Sequence, residues 1–170
     1  MGRATGDKIE RKYLAHFIDA GFGGTANWTR LGKDLEEYNI EMNAEIETKK
    51  NILGEATTAV KGYEPQAALD TYYAYEGDAL YEQLFSIVNN RSTGSECTTK
   101  VCDVLLDTDG TIVSAWQEDA IVVPTSVGGG TEGVNIPFEV HYSGNRKEVT
   151  ASAAIADGVL TIGTTTTTTE

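Results

Sequence analysis

Between Glu37 and Glu47 the chain alternates with period two. Tyr38, Ile40, Met42, Ala44 and Ile46 take the even positions, and Glu37, Asn39, Glu41, Asn43, Glu45 and Glu47 the odd ones. A helix would scatter these residues around its axis, so the pattern predicts a long strand with one apolar and one acidic face. A second alternation places Val134, Ile136, Phe138, Val140 and Tyr142 on one face of a strand. Pro137 cannot donate a ladder hydrogen bond, so this strand is expected to be an edge or to carry a bulge there. A turn is expected at Ser143-Gly144-Asn145, followed by a strand with Val149, Ala151, Ala153 and Ile155 inward.

Asp157-Gly158 predicts a hairpin returning through Val159 to Ile162, and Asp109-Gly110 predicts one joining Val101–Leu106 to Thr111–Gln117. Ala67 to Tyr75, rich in Tyr and Thr, reads as a further strand. One segment reads as a helix: Asp78 is placed to cap it, Leu80, Leu84, Ile87 and Val88 recur at helical spacing, and Asn89-Asn90, then Ser92-Thr93-Gly94, end it. A single helix among mostly hairpin-linked strands implies a mainly β fold, an antiparallel sandwich or barrel with one flanking helix. The length of 170 residues suits one domain, with an N-terminal arm at 1–12 and a threonine-rich tail at 163–170. That tail, Thr164 to Thr169 before Glu170, reads either as disordered or as a β-prone arm that orders in an assembly.

Charge narrows the function. The formal net charge is -13, and DNA affinity rests on Lys and Arg contacts to phosphate, so a DNA-gripping protein is disfavoured. A protein that must not adhere to DNA remains, because like charges repel. No apolar run approaches the roughly 20 residues of a membrane-spanning helix, and MGRATGDKIERKYLAHF lacks the apolar core of a secretory signal. Cys97 and Cys102 form a C-x4-C pair and His16 and His141 are remote in sequence, so no zinc pattern emerges and ordinary thiols are expected.

The apparent chemical motifs dissolve on inspection. Gly128 to Gly133 satisfies G-x-G-x-x-G, yet it leads into a strand rather than the helix whose amides would hold a pyrophosphate. Asp107-Thr108-Asp109-Gly110 imitates the start of a calcium loop, but Thr111 and Ile112 stand where that loop needs Asp or Asn and then Gly. Gly21-Phe22-Gly23-Gly24 reads as a loop. No nucleophile elbow or histidine base context occurs, so neither an enzyme nor a cofactor is expected.

Three stretches resemble a known family: KIERKYLAHFID, RLGKDLEEYNIEMN and ETKKNILGE, all between Lys8 and Glu55. They are similar to the N-terminal half of major tail tube proteins of siphophages infecting Gram-positive bacteria. The passage AALDTYYAYEGDALYEQLFSIV resembles the same family, whose members place one helix beside a β-sandwich. The resemblance implies a virion protein that assembles in the host cytoplasm into hexameric rings, stacked as a hollow tail tube. Double-stranded DNA would pass through without specific binding. The implied partners are copies of the chain, the tape measure protein, the tail terminator and the distal tail protein, with no membrane.

The family's long inter-strand loop reaches a neighbouring subunit or ring. Its counterpart here is expected at Asn43 to Ala59, with Lys49, Lys50, Asn51, Ile52, Leu53 and Glu55 as candidate contact residues. Glu37, Glu41, Glu45 and Glu47 are the candidate lumen-facing acidic strand, because a conduit benefits from a weakly repulsive wall. Two other readings stand beside this one. The first is a tube subunit of a phage-derived machine such as a tail-like bacteriocin or secretion apparatus. The second is a β-rich ligand-binding domain using Trp28, Trp116 and the Tyr72-Tyr73-Tyr75 cluster as a platform.

Overall fold

In a computed structural model, which describes residues 2–163, six antiparallel strands form a curled half-barrel. In chain order the strands are β1 (Leu14–Asp19), β2 (Trp28–Leu31), β3 (Ala44–Lys50), β4 (Ala56–Tyr63) and β5 (Gln66–Leu69), then β6 (Thr98–Leu106), β7 (Ile112–Pro124), β8 (Phe138–Glu148), β9 (Ala153–Ala156) and β10 (Val159–Ile162). The main sheet runs β2-β1-β6-β7-β8-β5, while β3–β4 and β9–β10 are separate two-stranded hairpins. The threonine run lies outside the described residues. The mainly β architecture with one helix, expected from the sequence, is the one observed.

Both faces of this sheet are covered. On one face Ile18, Val101, Val122, Phe138 and Val140 pack with Leu80 and Leu84 of the helix α1 (Ala79–Asn90). On the other, Ala15, Phe17, Cys102, Val104 and Ala115 pack under Val149 and Leu160 of the C-terminal segment. A strand buried on both sides loses the alternation of a half-exposed one. That is why β1, buried from Ala15 to Asp19, gives no period-two signal.

Helix α1 forms where its spacing predicts. Asp78 Oδ1 accepts from the Leu80 amide at 3.0 Å, satisfying an otherwise unpaired amide of the first turn. Its other oxygen accepts from the Tyr72 hydroxyl at 2.6 Å, and burial with this carboxylate raises the Tyr72 pKa. The helix ends at Arg91 in the left-handed region, whose amide donates to the Ile87 and Val88 carbonyls. Asp78→Ala is expected to lower stability by about 1–2 kcal/mol through the lost cap, readable by chemical denaturation.

Five local expectations change. The chain from Glu37 to Glu47 is not one strand: it breaks at Asn43, whose φ is 44°, and β3 begins at Ala44. Tyr38 and Ile40 turn down onto the core, and the Asn43 side chain donates to the Glu64 carbonyl at 3.0 Å, which fixes the break. Pro137 marks neither an edge nor a bulge. β8 lies inside the sheet between β7 and β5 and starts one residue later.

Ser143-Gly144-Asn145 is a bulge within β8 rather than a turn. The register to β7 slips on both sides of Asp119, Gly144 and Asn145 adopt φ of 114° and 54°, and the Asn145 side chain donates to Asp119 at 2.6 Å. The strand expected over Ala67 to Tyr75 ends at Leu69, and the one expected from Val149 begins only at Ala153. The Asp109-Gly110 and Asp157-Gly158 hairpins form as expected, joining β6 to β7 and β9 to β10.

Cys97 and Cys102 are free and buried. Burial, reinforced by Asp103, pushes the Cys102 thiol up to about 12, and burial also raises Cys97. The nucleophile is the thiolate. The folded protein is therefore expected to leave Cys102 unlabelled by a thiol reagent near pH ~8, whereas the denatured chain labels rapidly.

Candidate assembly surface

The segment expected as a long loop is a β-hairpin. Strands β3 and β4 pair with each other from Ala44↔Tyr63 to Lys50↔Ala56, and with no strand of the main sheet. The tip is built by Asn51. Its side-chain oxygen accepts from the Leu53 and Glu55 amides at 2.9 and 3.0 Å, and its side-chain nitrogen donates to Glu55 at 2.7 Å. Gly54, with φ of 79°, takes the left-handed position that closes the turn. The tip thus has a defined shape, and it holds Ile52 and Leu53 at 103% and 78% exposure.

The hairpin has two unlike faces. Glu47 pairs with Lys61 at 2.7 Å and Lys49 at 3.5 Å on one. The opposite face is uncharged over most of its length: Ile46 stands across from Val60, and Thr48 is bonded to Thr58 through their hydroxyls at 3.0 Å. Ile46 and Val60 are 63% and 53% exposed. An isolated two-stranded hairpin is marginal in water, and this one presents aliphatic side chains along its face and at its tip.

Of the candidate acidic strand, only Glu45 and Glu47 lie in β3, and Glu47 is partly neutralised by lysine. Glu41 sits at an isolated bridge to Gln66, and Glu37 lies earlier, bonded to Asn39. The structure therefore does not bring the four carboxylates onto one strand. Lys49 and Lys50 end β3, and Asn51, Ile52, Leu53 and Glu55 form the tip and its exit. Missing from the sequence reading was β4. Its Thr57-Thr58-Ala59-Val60 run, β-prone and directly across from the acidic strand, was the available signal.

The root of the arm is anchored over a buried polar group. Glu41 and Gln66 exchange backbone hydrogen bonds at 2.7 and 3.0 Å, and the Tyr142 amide donates to the Pro65 carbonyl at 3.0 Å. Below lies His16, whose Nδ1 is 2.6 Å from Asp103 and whose ring packs on Tyr38 at 4.5 Å. The Tyr38 and Tyr142 hydroxyls meet at 3.5 Å. Burial raises both phenols, so they stay protonated. Arg146 pairs with buried Glu118 at 3.2 Å and covers the Trp116 ring at 4.9 Å.

The remaining aromatics do not form an open platform. Tyr72 packs edge-on to Phe138, Tyr73 donates to Glu132 at 2.9 Å, and Tyr75 donates to Asp34 at 2.5 Å while Lys33 covers its ring. These contacts tie neighbouring loops together. Trp28 packs partly buried against the second core. The glycine-rich stretch is a loop, as expected; a Cβ at Gly129 would fall 2.0 Å from the Gly133 carbonyl oxygen. Among the described residues, no group of three or more His, Cys, Asp or Glu is placed to hold a metal ion, and no helix is long and apolar enough to cross a membrane.

No protein-family profile and no curated protein matches the chain. Solved structures do. The sheath/tube terminator of an extracellular contractile injection system, PVC, superposes with a TM-score of 0.54 at 10% identity, covering 85% of this chain and 99% of that one. The tube-terminating cap of the anti-feeding prophage gives 0.54 at 10% identity, covering 87% and 95%. At this identity the likeness is one of fold, and it extends over nearly the whole of both partners: the chain shares its fold with proteins that terminate the tubes of contractile injection systems.

Proposed function

We propose that this protein is a non-catalytic structural subunit of a tail-like tube that assembles with copies of itself into rings. The carrying observation is the β3–β4 arm, a shaped hairpin that leaves Ile46, Ile52, Leu53 and Val60 in water. Monomers seldom expose such a set of aliphatic side chains without a partner. The shared fold of tube-terminating proteins supports a place in such a machine.

The resemblance in Lys8 to Glu55 favours the tail tube of a siphophage, with stacked hexameric rings carrying double-stranded DNA. Its partners would then be the tape measure, terminator and distal tail proteins, and its location the virion. Glu37, Glu41 and Glu45, all exposed, are our candidates for the wall, with Glu47 a weaker contributor because of Lys61. A wall of like charge keeps DNA from adhering.

The second reading is a terminating ring, favoured by the fold likeness to a terminator and a cap. Negative-stain microscopy of the concentrated protein separates the two. Tubes support the tube subunit, and isolated rings that never stack support the terminator. A persistent monomer at every concentration removes both.

A further inference from the structure

A second apolar surface lies where the C-terminal end of α1 approaches the far end of β7. This groove encloses about 560 Å³ and is lined by Ile87, Val88, Cys97, Ile121, Val123 and Val127. Ile121, Val123 and Val127 are exposed on it. Arg91 also lines the groove, and among the described residues its guanidinium has no ion-pair partner.

We propose that this groove receives the arm tip of a second copy of the chain, with Ile52 and Leu53 seated against the aliphatic wall and Glu55 facing Arg91. The inference rests on the self-assembly reading and names the surface through which it operates. Three observations argue for this occupant. Ile52 and Leu53 are fully or largely exposed in the chain that carries them, so a copy does not fill its own groove with its own tip. The Asn51 hydrogen bonds hold the tip in one shape, so little conformational freedom is lost on docking. Charge matches as well: the tip offers Glu55, and the groove offers Arg91, which has no ion-pair partner among the described residues.

The contact is heterologous, since tip and groove are different surfaces. Such contacts propagate around a ring or along a stack instead of closing as a dimer. Aliphatic anchors seated in a desolvated pocket dominate interface energy. Leu53→Asp and Val123→Asp each place a charge in that contact from an exposed position and spare the folded core.

The test combines these variants with a crosslink. L53C together with V127C, oxidised at assembling concentration, is expected to give a ladder of covalent multimers. L53D or V123D is expected to raise the concentration needed for assembly by ~30-fold or more, with unchanged circular dichroism. E55R and R91E should each weaken assembly, and the E55R/R91E double variant should recover it. Wild-type rings or tubes accompanied by no crosslink and by normal assembly of V123D would overturn the docking site and leave self-assembly standing. A crosslink that stops at dimers would overturn the heterologous geometry. A wild-type protein that never assembles would remove both.

Discussion

Excising residues 48–58 and closing Glu47 onto Ala59 through an Asn-Gly turn is expected to leave a folded monomer that no longer assembles. Glu47 and Ala59 are paired across the hairpin, so a two-residue turn bridges them without disturbing the root. The excised segment pairs with no strand of the main sheet, and none of its residues belongs to either core cluster. The thermal midpoint should therefore stay within a few degrees, because solvent-exposed changes of this kind cost only about 0.5 kcal/mol. Light scattering and negative-stain microscopy should show monomers at concentrations where, on the proposed reading, the intact chain forms rings or tubes. A variant that still assembles would mean that the arm is not the joining element. One that unfolds would mean that the arm supports the sheet, against the geometry of its pairing.

Phe138→Ala should have the opposite signature, with stability lost first. Phe138 is completely buried at the start of β8, where the Tyr72 ring meets it edge-on at 5.4 Å. Removing a buried phenyl group forfeits its transfer energy and leaves a cavity, for about 3–5 kcal/mol. In a domain of this size that corresponds to roughly 6–20 °C in the thermal midpoint. Since whole domains are stable by only about 5–15 kcal/mol, a measurable unfolded fraction is expected under mild denaturant. A loss below about 1 kcal/mol would mean that the site collapses around the vacancy.

Legibility in the sequence followed how local each instruction is. Asp109-Gly110, Asp157-Gly158 and the Asp78 cap act within a few residues, and each produced the element it announced. Val134 to Tyr142 was read correctly as an inward face from Ile136 onward, but Val134 itself is exposed. Glu37 to Glu47 misled because two different burials share one period. Tyr38 and Ile40 point to the core, whereas Ile46 belongs to an arm with no core beneath it. Strand β1 was hidden because both its faces are covered. The buried His16–Asp103 pair was invisible for another reason: its partners are 87 positions apart and meet only through the β1–β6 register. Lys49 to Glu55 were read as part of a long loop, whereas they form the end of β3 and the hairpin tip, and β4 was not read at all.

The double slip of register beside Gly144 bears on a quantity no single copy displays. Extra residues on one strand of a pair bend it and steepen the local twist, so this bulge helps set how tightly the half-barrel curls. If neighbours meet through such sheets, the arc spanned by each copy fixes how many close the circle, and hence the bore. The dihedral angles of Gly144 and Asn145 would then act as a gauge for the calibre of the channel.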